Sequence, residues 1–443
     1  MKKIFFNIIK YLLTLLSLIV FYNVSMYLVC SFSSELIYNN TLKSSKEMLI
    51  EGNTYFMNVA SQIDNTTDGL MINEAYSVDS NNPLESYLRI RKNYKSGLTL
   101  YELPDVSHRL ATFSKNTVEK GIPVKDEGYL IIEELANYLS GKVQISVEYA
   151  RYYHGYLLLY RPLLILTDII GIRLFLFVAF TASFIVLAYK LKKELGKYVM
   201  FSICFPITLF GYFFISYSIQ QAPIFLIMIL YSIVITNNLK KWNWNSVAYS
   251  AMVVGSLTCF FDFLTTPTLT LAIPLLIYVL YTNSNTKFSL KKLFVGIFKV
   301  CILWGIGYSL TWLSKWIIYD TILNGSLISS VLEQIKFRSI SFDSSFLTTS
   351  AYYIFKNISY ISTITIVFIL INDTINKHFK NKISFKYLEI NKSSIVFVCC
   401  IPLFWSLITI NHFSEHTFFA YRNLVLMLTL ILMFYFKSQS SKS

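Results

Sequence analysis

The side chains able to do chemistry gather in a few short stretches. The first, Gln62-Ile63-Asp64-Asn65-Thr66-Thr67-Asp68-Gly69, holds two carboxylates four residues apart. A carboxylate can act as a base toward an attacking hydroxyl, whose high pKa requires that its proton leave as the new bond forms. Asp, Asn and Thr are equally the residues of helix caps and turns, so a solvated cap is the competing reading. The second stretch, Glu148-Tyr149-Ala150-Arg151-Tyr152-Tyr153-His154-Gly155-Tyr156, leads into Tyr160-Arg161-Pro162. At helical spacing Glu148, Arg151 and His154 share one face. The planar guanidinium fork and an imidazole that charges near neutral pH would together hold an anion such as phosphate. The rival is an interfacial belt, in which Tyr and Arg anchor the end of a membrane span.

A third stretch centres on Asp262 in Cys259-Phe260-Phe261-Asp262-Phe263-Leu264-Thr265-Thr266-Pro267. Placed between two apolar runs with hardly any loop, its carboxylate either meets a cation or caps the next helix ahead of Pro267. The fourth, Asn411-His412-Phe413-Ser414-Glu415-His416-Thr417, precedes Tyr421-Arg422 and contains two of the chain's five histidines. His412 and His416 would share a helical face, but no third metal ligand of clear spacing accompanies them. A polar patch in which Glu415 orients a histidine and Arg422 meets an anion is the simpler reading, beside that of a plain loop. Lys315, inside Trp312-Leu313-Ser314-Lys315-Trp316, is expected to snorkel to the interface. The stretch from Asp320 to Ser350, with Glu333, Lys336 and Arg338, reads as a cover or a solvated connector. No Walker loop, dinucleotide fingerprint, Gly-x-Ser-x-Gly elbow or zincin helix is present, so no cofactor is expected and any activation must arrive with the substrate.

The elements that must position these residues are apolar. Over 443 residues, 54% are hydrophobic and 14% charged, and the mean hydropathy is +0.51. Such a chain is not a string of soluble domains. Unbroken apolar runs of about twenty residues also exclude an outer-membrane barrel. The runs lie at 4–32, 169–189, 198–217, 222–237, 246–263, 267–282, 293–318, 351–371, 394–410 and 419–436. They predict an all-α integral membrane protein of about ten transmembrane helices. It divides into an N-terminal anchor helix (1–33), a helical extracytoplasmic loop domain (34–168) and a nine-helix membrane bundle (169–443).

The first run reads as a retained anchor, because no small-x-small cleavage site follows Lys2 and Lys3. Setting the N-terminus inside places Lys190, Lys192, Lys193, Lys197, Lys240, Lys241, Lys291, Lys292, Lys392 and Lys437 on the cytoplasmic side, with the C-terminus. The segment 34–168, in which acids outnumber bases, falls outside. Orientation in a cell membrane thus explains the net charge of +14 better than nucleic acid does. The six cysteines lie in or beside apolar runs and give neither a disulfide framework nor a zinc site. Within 34–168, Asn82-Pro83-Leu84-Glu85 signals a helix start, and Val106, Leu110 and Phe113, then Ile131, Leu135, Tyr138 and Leu139, repeat at helical spacing. No inverted repeat relates the two halves.

A span, a large first outer loop with surface helices and an acid, and many further spans resemble the membrane-embedded glycosyltransferases of the GT-C type. The strings Arg151 to Tyr156 with Arg161-Pro162, and Asn411 to His416 with Phe419 and Tyr421-Arg422, are also similar to uncharacterised multi-pass proteins of low-GC Gram-positive bacteria. The GT-C resemblance implies a polyprenyl-phosphate-linked sugar as donor, an outward-facing site, a carboxylate base in the first loop and cations around the leaving phosphate. Asp64 and Asp68 match that loop acid. The adjacent acidic pair of several such families is absent there and occurs only at Asp126-Glu127. The expectation is an extracytoplasmic transferase that moves a sugar to an envelope glycan or lipid. Arg151, His154, His412, His416 and Arg422 would hold substrate, and Asp262 would orient one of them. A glycan polymerase or ligase, a polysaccharide or lipid transporter, and a non-catalytic envelope component are the rivals.

Overall fold

The computed structural model describes residues 2–56, 60–95, 143–212, 215–285, 289–338, 392–416 and 421–440. The protein is built of helices, and among the described residues four are long and apolar enough to cross a membrane: Phe5–Cys30, Ile169–Leu195, Lys197–Tyr217 and Leu290–Leu323. Shorter apolar helices accompany them at Leu157–Leu166, Ala222–Asn238, Leu269–Asn283 and Lys392–Ile408. Nine of the ten apolar runs are therefore helical wholly or in part; the run at 351–371 lies outside the described residues, as do Asp126-Glu127 and the periodic positions between 106 and 139.

In chain order the elements are α1 (Lys2–Cys30), α2 (Tyr38–Glu51), β1 (Thr54–Phe56), β2 (Ala60–Ile63), α3 (Asn65–Tyr76), α4 (Pro83–Leu88), β3 (Arg91–Lys95), β4 (Val143–Glu148) and α5 (Leu157–Leu166). There follow α6 (Ile169–Leu195), α7 (Lys197–Ile207), α8 (Ala222–Asn238), α9 (Trp244–Phe261), α10 (Leu269–Asn285) and α11 (Leu290–Leu323). The last are α12 (Leu327–Arg338), α13 (Lys392–Ile408), α14 (Ile410–Glu415) and α15 (Val425–Ser440). Caps set several boundaries. Asp168 accepts from Gly171 N–H at the start of α6, Asn243 from Asn245 and Ser246 N–H at α9, and Ser289 from Lys292 N–H at α11. Gly196, at φ +91°, makes the turn that separates α6 from α7.

Among the described residues α9 and α11 pack closely along their length, and small residues allow it. A Cβ built on Gly255 would lie 2.1 Å from Trp304 O, and one on Gly307 would lie 2.0 Å from Met252 O. Only glycine lets the two backbones approach this closely. A polar ladder joins α1 to the same pair: Tyr22 OH lies 3.1 Å from Ser256 Oγ, which lies 2.7 Å from Thr311 Oγ1. Tyr22 also stacks on Phe260 at 4.2 Å. Without a hydrophobic drive between helices in lipid, close packing and such interhelical hydrogen bonds are what hold them. The large apolar side chains left exposed on α1 and α6, among them Phe6, Leu13, Leu174 and Val178, are the surface that lipid would cover.

Between α1 and α6 the chain is not wholly helical. β1 pairs antiparallel with β2, and β3 with β4, where Arg91 faces Glu148. The helices of this segment pack on the bundle instead of standing apart. Ser44 Oγ accepts from Ile169 N–H at the head of α6, while within the segment Ser34 Oγ donates to Val78 O and Asn40 Nδ2 to Leu164 O.

Candidate functional site

Two ends of the bundle differ in kind. At the end where α1 starts, lysines are exposed: Lys10, Lys193, Lys240, Lys241 and Lys291. At the end where α1 finishes, most ionisable side chains are buried and hydrogen-bonded. We call these the lysine end and the loop end.

At the loop end α3 supplies the two acids of the first stretch. Asp64 caps α3: Oδ1 accepts from Thr67 N–H at 3.2 Å and Oδ2 from Thr67 Oγ1 at 2.9 Å. Asp68, one turn on, is fully buried. Its Oδ2 lies 3.0 Å from Arg173 Nη2, and its Oδ1 accepts from Ile219 N–H at 2.9 Å. Arg173 extends the network to Glu51 at 2.6 Å and to Asn65 Oδ1 at 2.6 Å, and stands 5.0 Å over the ring of Tyr217. Asn65 in turn donates to Met48 O, Gly52 O and Glu51 Oε2. Burial pushes the Asp68 carboxyl up to about 7, against the pull of Arg173, while Asp64 adds to the rise.

The second stretch is not one helical face. β4 ends at Glu148, the chain turns, and α5 starts only at Leu157. His154 sits in that turn in the left-handed region, φ +57°. The β-ladder to β3 outcompetes the helical spacing, so Arg151 and His154 part ways. His154 Nε2–H donates to Tyr149 O at 2.6 Å, and its Nδ1 lies 3.2 Å from Glu74 Oε2 and 3.0 Å from Tyr156 OH. Tyr156 OH itself donates to Glu74. The rings of Tyr149, Tyr152, Tyr156 and Phe263 surround the imidazole, all with centroids within 6.2 Å. Arg151 is half-buried, its guanidinium 4.9 Å over Tyr149 and 5.7 Å over Tyr152, while its carbonyl accepts from Trp312 and Trp316 Nε1. Gly155 N–H donates to Phe260 O, and a Cβ at Gly155 would meet Phe260 at 2.5 Å.

Asp262 follows α9 and is buried. Oδ1 accepts from Thr265 N–H at 3.0 Å and from Thr265 Oγ1 at 2.7 Å, and Oδ2 lies 3.4 Å from Tyr308 OH. It therefore serves the turn before α10, and no Arg or Lys among the described residues reaches it. His412 is buried and its Nε2 lies 3.0 Å from Leu264 O, which ties the start of α14 to that same turn. His416 meets His412 edge to face, centroids 4.7 Å apart. Arg422 is buried with its guanidinium 5.0 Å over Tyr421, whose ring stands 5.9 Å from Phe210.

These contacts form one connected patch. It runs from Arg173 and Asp68 along α3 to Glu74 and His154, across Phe263 to Asp262, and through Leu264 to His412. Around it, Ser216, Ser218, Gln220, Gln221, Thr266 and Thr268 carry buried side-chain atoms that have no hydrogen-bond partner among the described residues.

Two cations expected at the interface are instead structural ties. Arg161 is 1% exposed. It donates to Val29 O, Phe32 O, Ala75 O and Ser34 Oγ, fastening the end of α1 to the end of α3. Lys315 does not snorkel: fully buried, it donates to Tyr87 O at 2.8 Å and Leu88 O at 3.2 Å, and lies over the rings of Tyr87 and Tyr153. It satisfies the C-terminal carbonyls of α4, where a cation is favoured. Sequence reasoning missed Arg173, Glu74 and Glu51. Arg173 had a signal, being a lone charge at the head of an apolar run; Glu74 and Glu51 had none.

No family model, curated protein or solved structure matches the chain.

Proposed function

We propose that this protein is a membrane-embedded glycosyltransferase, acting on a polyprenyl-phosphate-linked sugar at the loop end. In this reading the loop end faces outward, about ten helices span the cell membrane, and both termini lie in the cytoplasm. One observation carries it: buried acids, the buried Arg173 and two buried histidines, from five separate parts of the sequence, lie in one patch at one end of the bundle. Burying ionisable groups near membrane depth is unfavourable, by about 2.5–3.5 kcal/mol each on insertion scales, so a gathering of them has a task. A sugar presents hydroxyls to donors and acceptors such as the amides of Gln220 and Gln221. Its carrier phosphate calls for cations, which Arg151 and Arg422 would supply at this end, while Arg173 holds Asp68 in place. Asp68, its carboxyl held near neutral pH, is the better-tuned base, and Asp64 stands one turn away.

The experiment compares Asp64→Asn with Asp68→Asn in purified protein supplied with a panel of polyprenyl-phosphate sugars and membrane acceptors. Asparagine is as good a cap as aspartate, so loss of transfer in Asp64→Asn with an unchanged unfolding midpoint identifies chemistry at that position. Loss in Asp68→Asn alone assigns the base to Asp68. Unchanged product in both variants removes the proposed base and leaves the polymerase or ligase reading, which needs none.

A further inference from the structure

We propose that the groove between α1, α8 and α9 at the lysine end is a binding site for an anionic membrane phospholipid, one acyl chain lying along its wall and the phosphate at Lys10. The groove encloses about 690 Å³ and is lined on its apolar side by Tyr11, Leu230, Val234, Tyr249 and Leu257. That volume falls in the range of sites that hold an organic ligand. Leu230 is 52% and Val234 41% exposed, so the mouth opens sideways along the flank of two apolar helices, where the surrounding medium is hydrocarbon. An acyl chain is the occupant that such a mouth admits.

Charge selects the headgroup. Lys10 is exposed at the polar corner of the groove, its ammonium 4.2 Å over the ring of Tyr249. No carboxylate among the described residues pairs with it. Lys299 adds a second cation, bonded among the described residues to Asn245 Oδ1, and Asn245 and Ser246 line the same corner with hydrogen-bonding groups. No acid lines the groove. An anionic phosphodiester complements two ammonium groups and the Ser246 hydroxyl, and attraction of Lys to anionic lipid at a membrane surface is a general effect. Tyr11 stacks on Tyr249 at 5.6 Å, and Thr14 Oγ1 lies 2.7 Å from Tyr249 OH, so α1 is fixed against α9 on one side of the groove while its far face stays open. This site lies at the opposite end from the polar patch and does not depend on the transferase reading.

The test is native mass spectrometry of the full chain released from nanodiscs of equal phosphatidylglycerol and phosphatidylcholine content. Wild type is expected to retain phosphatidylglycerol at least fivefold over phosphatidylcholine. Lys10→Glu should bring the ratio to about one, and Leu230→Trp, which fills the mouth from an exposed position, should remove both lipids from the retained species. Gel filtration and unfolding midpoints confirm that each variant is folded. Equal retention of the two lipids by wild type overturns the proposal. So does a phosphatidylglycerol excess that survives either substitution, because survival in Leu230→Trp means that surface charge alone attracts the lipid.

Discussion

Arg173→Met tests whether the ion network of α3 and α6 is a strut. The guanidinium contacts Asp68, Glu51 and Asn65 at 2.6–3.0 Å. Removing one partner of a buried pair costs about 3–5 kcal/mol, since it leaves an uncompensated charge. Glu51 keeps 30% of its side chain exposed and can hydrate, so only Asp68 is stranded, and the lower figure, about 3 kcal/mol, is expected above pH 7, where Asp68 is ionised. The loss should depend on pH. Burial raises the Asp68 carboxyl from its ordinary 3.8 to about 7, so the folded state holds this proton more tightly than the unfolded chain. The stability tied to that proton is full below 3.8 and is lost as pH rises through 7. Arg173 is the strongest influence opposing the rise, so Arg173→Met lifts the carboxyl further. At pH 5.5 both proteins keep Asp68 protonated; at pH 8.5 wild type ionises it beside a guanidinium and the variant has none. Each further unit is about 1.4 kcal/mol, and the gap between the proteins should widen by about 1–2 kcal/mol from pH 5.5 to 8.5. Denaturant unfolding in a fixed detergent, followed by circular dichroism, measures it. A gap that is equal at the two pH values, or below 1 kcal/mol throughout, refutes the strut.

Arg161→Met should destabilise by about 3 kcal/mol, because three main-chain carbonyls and Ser34 lose a charged donor together; an unfolding midpoint within error of wild type contradicts the tie between α1 and α3. Gly307→Val should separate α9 from α11, as even a methyl there meets Met252 O at 2.0 Å; cysteine cross-linking across the two helices should fall sharply, and an unchanged cross-linking yield counts against the packing. Gly155→Ala should destabilise by roughly 1–3 kcal/mol through the 2.5 Å approach to Phe260, which does not lie on a solvent-facing loop and cannot swing clear; a variant as stable as wild type disproves that contact.

The apolar runs announced the helices, because twenty uncharged residues in a row leave the backbone little else to do. They did not announce length: α8 and α10 are 17 residues each, and α11 is 34. In 34–168 the start of α4 at Pro83 was legible from Asn82-Pro83-Leu84-Glu85. The strand β4 was missed although Val143, Ile145 and Val147 alternate with Gln144, Ser146 and Glu148, the period of a ribbon. That error carried a second with it, since the shared face of Glu148, Arg151 and His154 exists only on a helix. Partners of buried charges were the least legible part. Asp68 was singled out, but Arg173 lies more than a hundred residues away, and His154 finds Glu74 at similar remove. No local pattern encodes such pairs; they are fixed by which ends of which helices share a face of the bundle.

The contrast between the two ends bears on what each is for. Lysines at the lysine end stand mostly exposed, and a solvated ammonium exerts a weak, screened pull that suits orientation in a membrane and attraction of a charged headgroup. At the loop end the guanidinium of Arg173 and the imidazole of His154 are buried against carboxylates, with Tyr and backbone groups taking up further hydrogen-bonding positions. Such networks are rigid, because every rearrangement strands a charge in a medium of low dielectric. Rigidity of that kind holds polar groups at fixed distances beside Ser216, Ser218, Gln220 and Gln221, which carry buried side-chain atoms with no hydrogen-bond partner among the described residues. On the transferase reading proposed above, locked charges beside such neutral donors and acceptors would suit a hydroxyl-rich group.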